Sequence, residues 1–183
     1  MLYILAGASR TGKSTIARRC VTQKQIPFFC IDFLTNSLQH IPSLGIHHDL
    51  PFIEKAEKLW PYVEPLLAGL ICDEPQYLIE GDGLLPKDIY ALQERFGDDI
   101  RACLVGYAHI TPQEKFDQIR AYATHQDDWT HKFSDEALLD KAQGMIDYSV
   151  YLEAECGKYS LPYFDCSQDF DGYLEQVFEY LTR

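Results

Sequence analysis

Gly7-Ala8-Ser9-Arg10-Thr11-Gly12-Lys13-Ser14 fits the pattern G-x-x-x-x-G-K-[ST], and the residue types at its fixed positions point to one chemistry. The glycines let the backbone curl until successive N–H groups face one concavity, which receives phosphate oxygens. A helix opening near Lys13 adds its positive N-terminal end. Lys13 is placed to reach β- and γ-phosphates, the Ser14 hydroxyl is a hard oxygen ligand for Mg²⁺, and Thr15 is within reach of an α-phosphate. Arg10 either lies along the phosphates or points to solvent, and solvent is the expectation.

Two further acidic positions belong to the same chemistry. Phe28-Phe29-Cys30-Ile31 runs straight into Asp32, and in a parallel sheet the carboxyl ends of neighbouring strands converge on the edge that carries the phosphate loop. Asp32 there accepts or orients the proton of an acceptor hydroxyl, or it caps a helix over Phe33 to Gln39. Tyr77-Leu78-Ile79 ends in Glu80-Gly81-Asp82-Gly83, where Glu80 or Asp82 serves as a second-sphere magnesium ligand or holds the acceptor. The rival reading is a plain turn, for which the glycines are suited.

These residues need strands to hold them. Apolar runs at Leu2–Ala6, Pro27–Ile31, Tyr77–Ile79, Ile100–Tyr107 and Pro162–Cys166 read as buried strands. Helical stretches separate them: Lys13–Val21, Phe52–Leu70 with a break near Pro61 or Pro65, Lys87–Phe96, a pair within Pro112–Cys156, and Gly172–Leu181. Alternation of this kind predicts an α/β layer with a parallel sheet. Thr111-Pro112-Gln113-Glu114 has the form of a capping box, and Ser134 begins a helix that Gly157 is placed to stop. Between these two starts, Ala123–Phe133 contains His125, Asp127, Asp128, Trp129, His131 and Lys132, a polar excursion that is either a flap over the site or a surface loop.

The 183 residues, 46% hydrophobic and 24% charged, predict one globular domain over 1–183. A formal charge of −12 repels nucleic acid and anionic membranes, so neither is an expected partner. Within it, residues 1–31 carry Arg10, Lys13, Arg18, Arg19 and Lys24 with no acid, a local +5 that fits a small anionic ligand. No run approaches the length of a membrane span, Met1–Ala6 is too short for a signal-peptide core, and a cytoplasmic protein is expected. The six cysteines form no C-x-x-C pair, and Cys30, Cys103 and Cys166 read as core residues. His47-His48 reads as solvated loop, and Trp60 and Trp129 either line a pocket or pack in the core.

GASRTGKST followed by FFCIDFLTNSLQ resembles the small P-loop kinases of the adenylate-kinase-like group, most closely the chloramphenicol phosphotransferase-like branch. IEGDGLLP is similar to the third-strand region of 2-phosphoglycerate-kinase-like proteins. The resemblance implies a P-loop NTPase fold, three-layer α/β/α with a five-stranded parallel sheet, and a helical lid after the fourth strand, about residues 108–133. It also implies Lys13 and Ser14 on Mg-ATP, Asp32 as base for a small-molecule acceptor hydroxyl, and a lid arginine, for which Arg120 is the choice. Relatives often carry several lid arginines, whereas this segment offers only Lys115, Arg120 and Lys132. Two other activities stay open: a nucleotide-binding NTPase or switch without a phosphorylated acceptor, and a nucleotide or toxin-like kinase.

Overall fold

The computed structural model describes residues 1–123 and 128–183, so His125 and Asp127 of the polar excursion lie outside the described residues. Five strands form one parallel sheet: β1 (Leu2–Gly7), β2 (Phe28–Cys30), β3 (Tyr77–Gly81), β4 (Ile100–Gly106) and β5 (Tyr163–Asp165), in the order β2-β3-β1-β4-β5. All six residues of the central β1 are buried, as expected for a strand covered on both faces. The register pairs Leu5 with Glu80 and Cys30 with Glu80, so Glu80 belongs to β3 itself rather than to the turn after it.

The helices are α1 (Lys13–Lys24), α2 (Ile31–Leu38), α3 (Phe52–Asp73), α4 (Pro86–Phe96), α5 (Pro112–Tyr122), α6 (Asp135–Tyr159) and α7 (Phe170–Thr182). Helix α1 packs with α7, and α4 with α6, giving the expected three layers. Among the described residues no helix is long and apolar enough to cross a membrane.

Two local expectations change, and one alternative left open at Asp32 closes. The break expected at Pro61 or Pro65 does not occur, and α3 runs through both. Ala56, Leu59, Val63 and Leu67 form its buried stripe, while both prolines stand on the exposed face, where the backbone carbonyls they leave unpaired are within reach of water. Helix α6 passes Gly157 and ends with Ser160 in the left-handed region at φ 53°, because burial of Leu161, whose N–H reaches the Cys156 carbonyl, draws the chain inward there. Helix α2 begins at Ile31 with Cys30 as its cap residue, so Asp32 lies inside the first turn and its carboxylate is not the cap. The Thr111 capping box is present, Cys103 and Cys166 are buried, and Cys30 is half-buried.

Candidate active site

The phosphate loop is held by its two ends. A Cβ at Gly7 would stand 2.0 Å from the Val105 carbonyl, so only glycine lets β1 turn off against β4. Gly12 has φ 82° and caps α1, where a Cβ would also meet Phe170 at 2.9 Å. Inside the loop, the Thr11 hydroxyl donates to the Ala8 carbonyl at 3.0 Å, and Lys13 Nζ donates to the carbonyls of Gly7 (3.1 Å) and Ala8 (2.7 Å).

A cleft of about 280 Å³ opens over this loop, lined by Ser9, Arg10, Thr11, Gly12, Lys13, Ser14 and Thr15 together with Asp32, Glu80, Asp82 and Trp129. Gly7 and Ala8 form the loop's buried root. The structure thus brings together the loop and all three acids picked from the sequence. The Ser14 hydroxyl donates to Glu80 Oε1 at 3.0 Å, which joins the oxygen suited to a magnesium ion to a buried carboxylate behind it. This donor set of hard oxygens fits Mg²⁺.

Asp82 is the most tightly held of the acids. Lys55 Nζ lies 3.0 Å from its Oδ1 and donates to Oδ2 at 3.1 Å, and the Ser9 hydroxyl also donates to Oδ2 at 3.1 Å. Oδ1 is buried and has no hydrogen bond among the described residues. Burial acts to raise the Asp82 carboxyl, but Lys55 and Lys13 outweigh it and hold it below its ordinary value. Asp32 moves the other way: burial raises it and the Asp82 charge adds to the rise, with Lys13 and Lys55 opposing. Two carboxylates in one cleft are therefore pushed apart.

Lys55 was not singled out from the sequence, although a signal existed. It sits three residues after Phe52 and four before Leu59, on the apolar face of α3, where a lysine needs a buried partner. Its Nζ lies 5.3 Å from the centroid of the Phe52 ring, which stacks on Tyr148 at 4.6 Å. Tyr148 in turn donates from its hydroxyl to the Asp82 carbonyl at 3.1 Å, so α3 and α6 together position the turn after β3.

Arg10 does not point to solvent as expected. Its Nη2 contacts the Asp128 carboxylate and, at 3.4 Å, the Thr130 hydroxyl, and its guanidinium lies 5.4 Å from the centroid of Trp129. Its backbone has φ 62°, a left-handed conformation that costs a non-glycine residue about 1–2 kcal/mol. Lys115 of α5, buried, donates to the Arg10 carbonyl at 3.1 Å and covers the Tyr107 ring, and burial pushes its ammonium down to about 8. Arg120 is not among the cleft residues: its guanidinium donates to the carbonyls of Thr130 (3.5 Å) and Phe133 (3.2 Å) and to Asp135 (2.7 Å), tying α5 to the segment that follows it.

The remaining candidates stand apart. Trp60 packs against the core, and His48 meets Asn36 Oδ1 at 2.7 Å on the surface. Of the basic N-terminal residues only Arg10 and Lys13 line the cleft; Arg19 pairs with Glu175 of α7 at 2.6 and 2.9 Å and lies over Phe178.

No protein-family model matches this sequence, and no curated protein matches it. Solved structures match the fold. A gluconokinase from Sinorhizobium meliloti 1021 aligns with a TM-score of 0.60 at 17% identity, covering 99% of this chain and 91% of that one. A shikimate kinase from Bacteroides thetaiotaomicron gives 0.56 at 14% identity, covering 100% and 99%. The YorR protein of Bacillus subtilis, solved in complex with phosphorylated GDP, gives 0.54 at 13% identity, covering 98% and 94%. At these identities the likeness establishes the architecture: this chain has the three-layer α/β fold of P-loop kinases.

Proposed function

We propose that the protein is an ATP- and Mg²⁺-dependent kinase that transfers the γ-phosphoryl group to a hydroxyl of a small-molecule acceptor. The observation that carries this reading is the meeting of Lys13, Ser14, Glu80, Asp32 and Asp82 in one cleft. Asp32 takes the proton of the acceptor hydroxyl as its oxygen bonds to the γ-phosphorus; the bond from that phosphorus to the bridging oxygen breaks, and ADP leaves. Lys13 exchanges the Gly7 and Ala8 carbonyls for phosphate oxygens and stabilises the charge that gathers on them. Ser14, with Glu80 behind it, would hold Mg²⁺, which would supply neutralisation of the charge on the triphosphate. Residues 1–183 act as one unit in this reading, with 108–133 as the lid, and free cysteines fit a reducing, cytoplasmic setting.

The acceptor is neutral or weakly charged. Three carboxylates line the cleft, and the one lysine behind them, Lys55, is taken by Asp82. The YorR complex with phosphorylated GDP favours a nucleotide acceptor, but a second set of phosphates would face those acids here. The resemblance to chloramphenicol phosphotransferase-like and 2-phosphoglycerate-kinase-like proteins rests on the Asp32 and IEGDGLLP segments.

ADP release measured against a metabolite panel tests the proposal. One acceptor should raise the rate sharply, and Asp32→Asn should lower that acceptor-dependent rate by about 10²–10⁴-fold while ATP still binds. Unchanged turnover in Asp32→Asn removes the base. Hydrolysis indifferent to every acceptor and altered by a protein partner supports the switch reading instead. Lys13→Ala should weaken triphosphate binding, and unchanged affinity would sink the phosphate-loop assignment.

A further inference from the structure

Four observations meet at Arg10. It stands inside the phosphate loop, between residues that line the cleft, and lines that cleft with Lys13 and Ser14. Its side chain is not free on the surface but is held against the far wall, with Asp128 and Thr130 as polar contacts and Trp129 beside it. Its Nε is buried without a hydrogen bond among the described residues, so the guanidinium fork retains an unused donor. Its backbone carbonyl is fixed independently by Lys115, which leaves the side chain able to change partner while the loop stays in place.

Asp128 is equipped to let go. The oxygen that contacts Arg10, Oδ1, also accepts the Thr130 N–H at 3.0 Å and the Thr130 hydroxyl at 2.7 Å. Those two bonds remain when the guanidinium leaves, so the carboxylate is not stranded. Arg120, the one arginine of the segment after β4, is engaged by two carbonyls and Asp135 outside the cleft. The transferring phosphoryl group spreads negative charge over three oxygens, and a planar fork of donors is the matching partner.

We infer that Arg10 is the charge-stabilising arginine of phosphoryl transfer, supplied by the phosphate loop itself, and that Asp128 and the γ-phosphoryl oxygens are alternative partners for its guanidinium. The inference rests on the kinase reading and gives that site a built-in test for the third phosphate. A diphosphate leaves Arg10 with Asp128; a triphosphate draws it away.

The two sides of the exchange predict opposite signs. Calorimetry with Mg-ADP and with the β,γ-imido analogue of Mg-ATP should show that Arg10→Gln lowers the preference for triphosphate over diphosphate by about 10-fold or more, the scale of a charge-assisted pair. ADP affinity should stay within about threefold, as expected when the lost contact is to the third phosphate only. Asp128→Asn should raise the same preference, because the competitor is weakened. If both variants shift the preference in one direction, or neither shifts it, Arg10 is a structural tie and the inference fails. Should Arg10→Gln not fold, Asp128→Asn decides alone, and an unchanged or lowered preference overturns the exchange. Lys13→Ala separates the levels: retained binding of both nucleotides refutes the phosphate site as a whole, whereas lost binding there with an unmoved Arg10→Gln refutes this inference only.

Discussion

Asp32 and Asp82 share a cleft yet are pushed in opposite directions, Asp32 up and Asp82 down, which gives the proposed base its own pH signature. The protons of such a pair belong to both groups, but the sign for the reaction is determined. In the proposed reaction the base is the anion, so turnover should fall as pH drops through the raised value of Asp32. The acid limb of kcat/KM should lie above 3.8, the ordinary aspartate value, in a profile taken with the best acceptor. A limb at or below that value removes Asp32 from the role. Asp32 was legible in the sequence because an apolar strand runs directly into it, and the loop because its pattern is local. The placement of Arg10 was not, since its partner Asp128 lies 118 positions away and no periodicity connects them.

At the scale of elements, α3 and α6 each carry glycines with no visible use. Gly69, Gly144 and Gly157 lie inside these helices with nothing within 4 Å of an added Cβ. Alanine at each should stabilise the protein by roughly 0.5–1 kcal/mol, read as a higher urea midpoint at unchanged slope. A lower midpoint at any of them would mean that the glycine serves the backbone there. Strand positions were legible because buried strands leave continuous apolar runs, and all five lie within or beside the expected runs. Helix ends were less so. Pro61 and Pro65 read locally as a break, but the stripe from Ala56 to Leu67 packs on the core and outweighs two lost hydrogen bonds. Likewise the position of α6's end depends on Leu161 finding the core, which the sequence around Gly157 does not announce.

Across the whole molecule, Asp82 is where distant parts of the chain meet: Ser9 from the phosphate loop, Lys55 from α3 and, at its carbonyl, Tyr148 from α6. Removing one partner of a buried pair leaves the other uncompensated, so Lys55→Met should destabilise the fold by about 3–5 kcal/mol in denaturant titration. A loss below about 1 kcal/mol would class the pair with surface ion pairs and refute its role as a tie. The charge pattern takes a sharper form at this scale too. Of the five basic residues of the N-terminal stretch, two, Arg10 and Lys13, line the cleft, and a third, Arg19, makes a helix-to-helix contact.

The position of β1 also has a meaning in time. It lies between β3 and β4, and the partners of Leu2 are Tyr77 and Ile100. At about 5–20 residues per second during synthesis, the strand waits roughly 4–15 s for its first neighbour and longer for its second. Throughout that interval a wholly apolar segment leaves the ribosome with both edges unpaired. The loop that follows it lacks one of its anchors until Val105 arrives to receive the Ala8 N–H. Nascent chains stopped before β4 should therefore be clients of chaperones rather than binders of nucleotide.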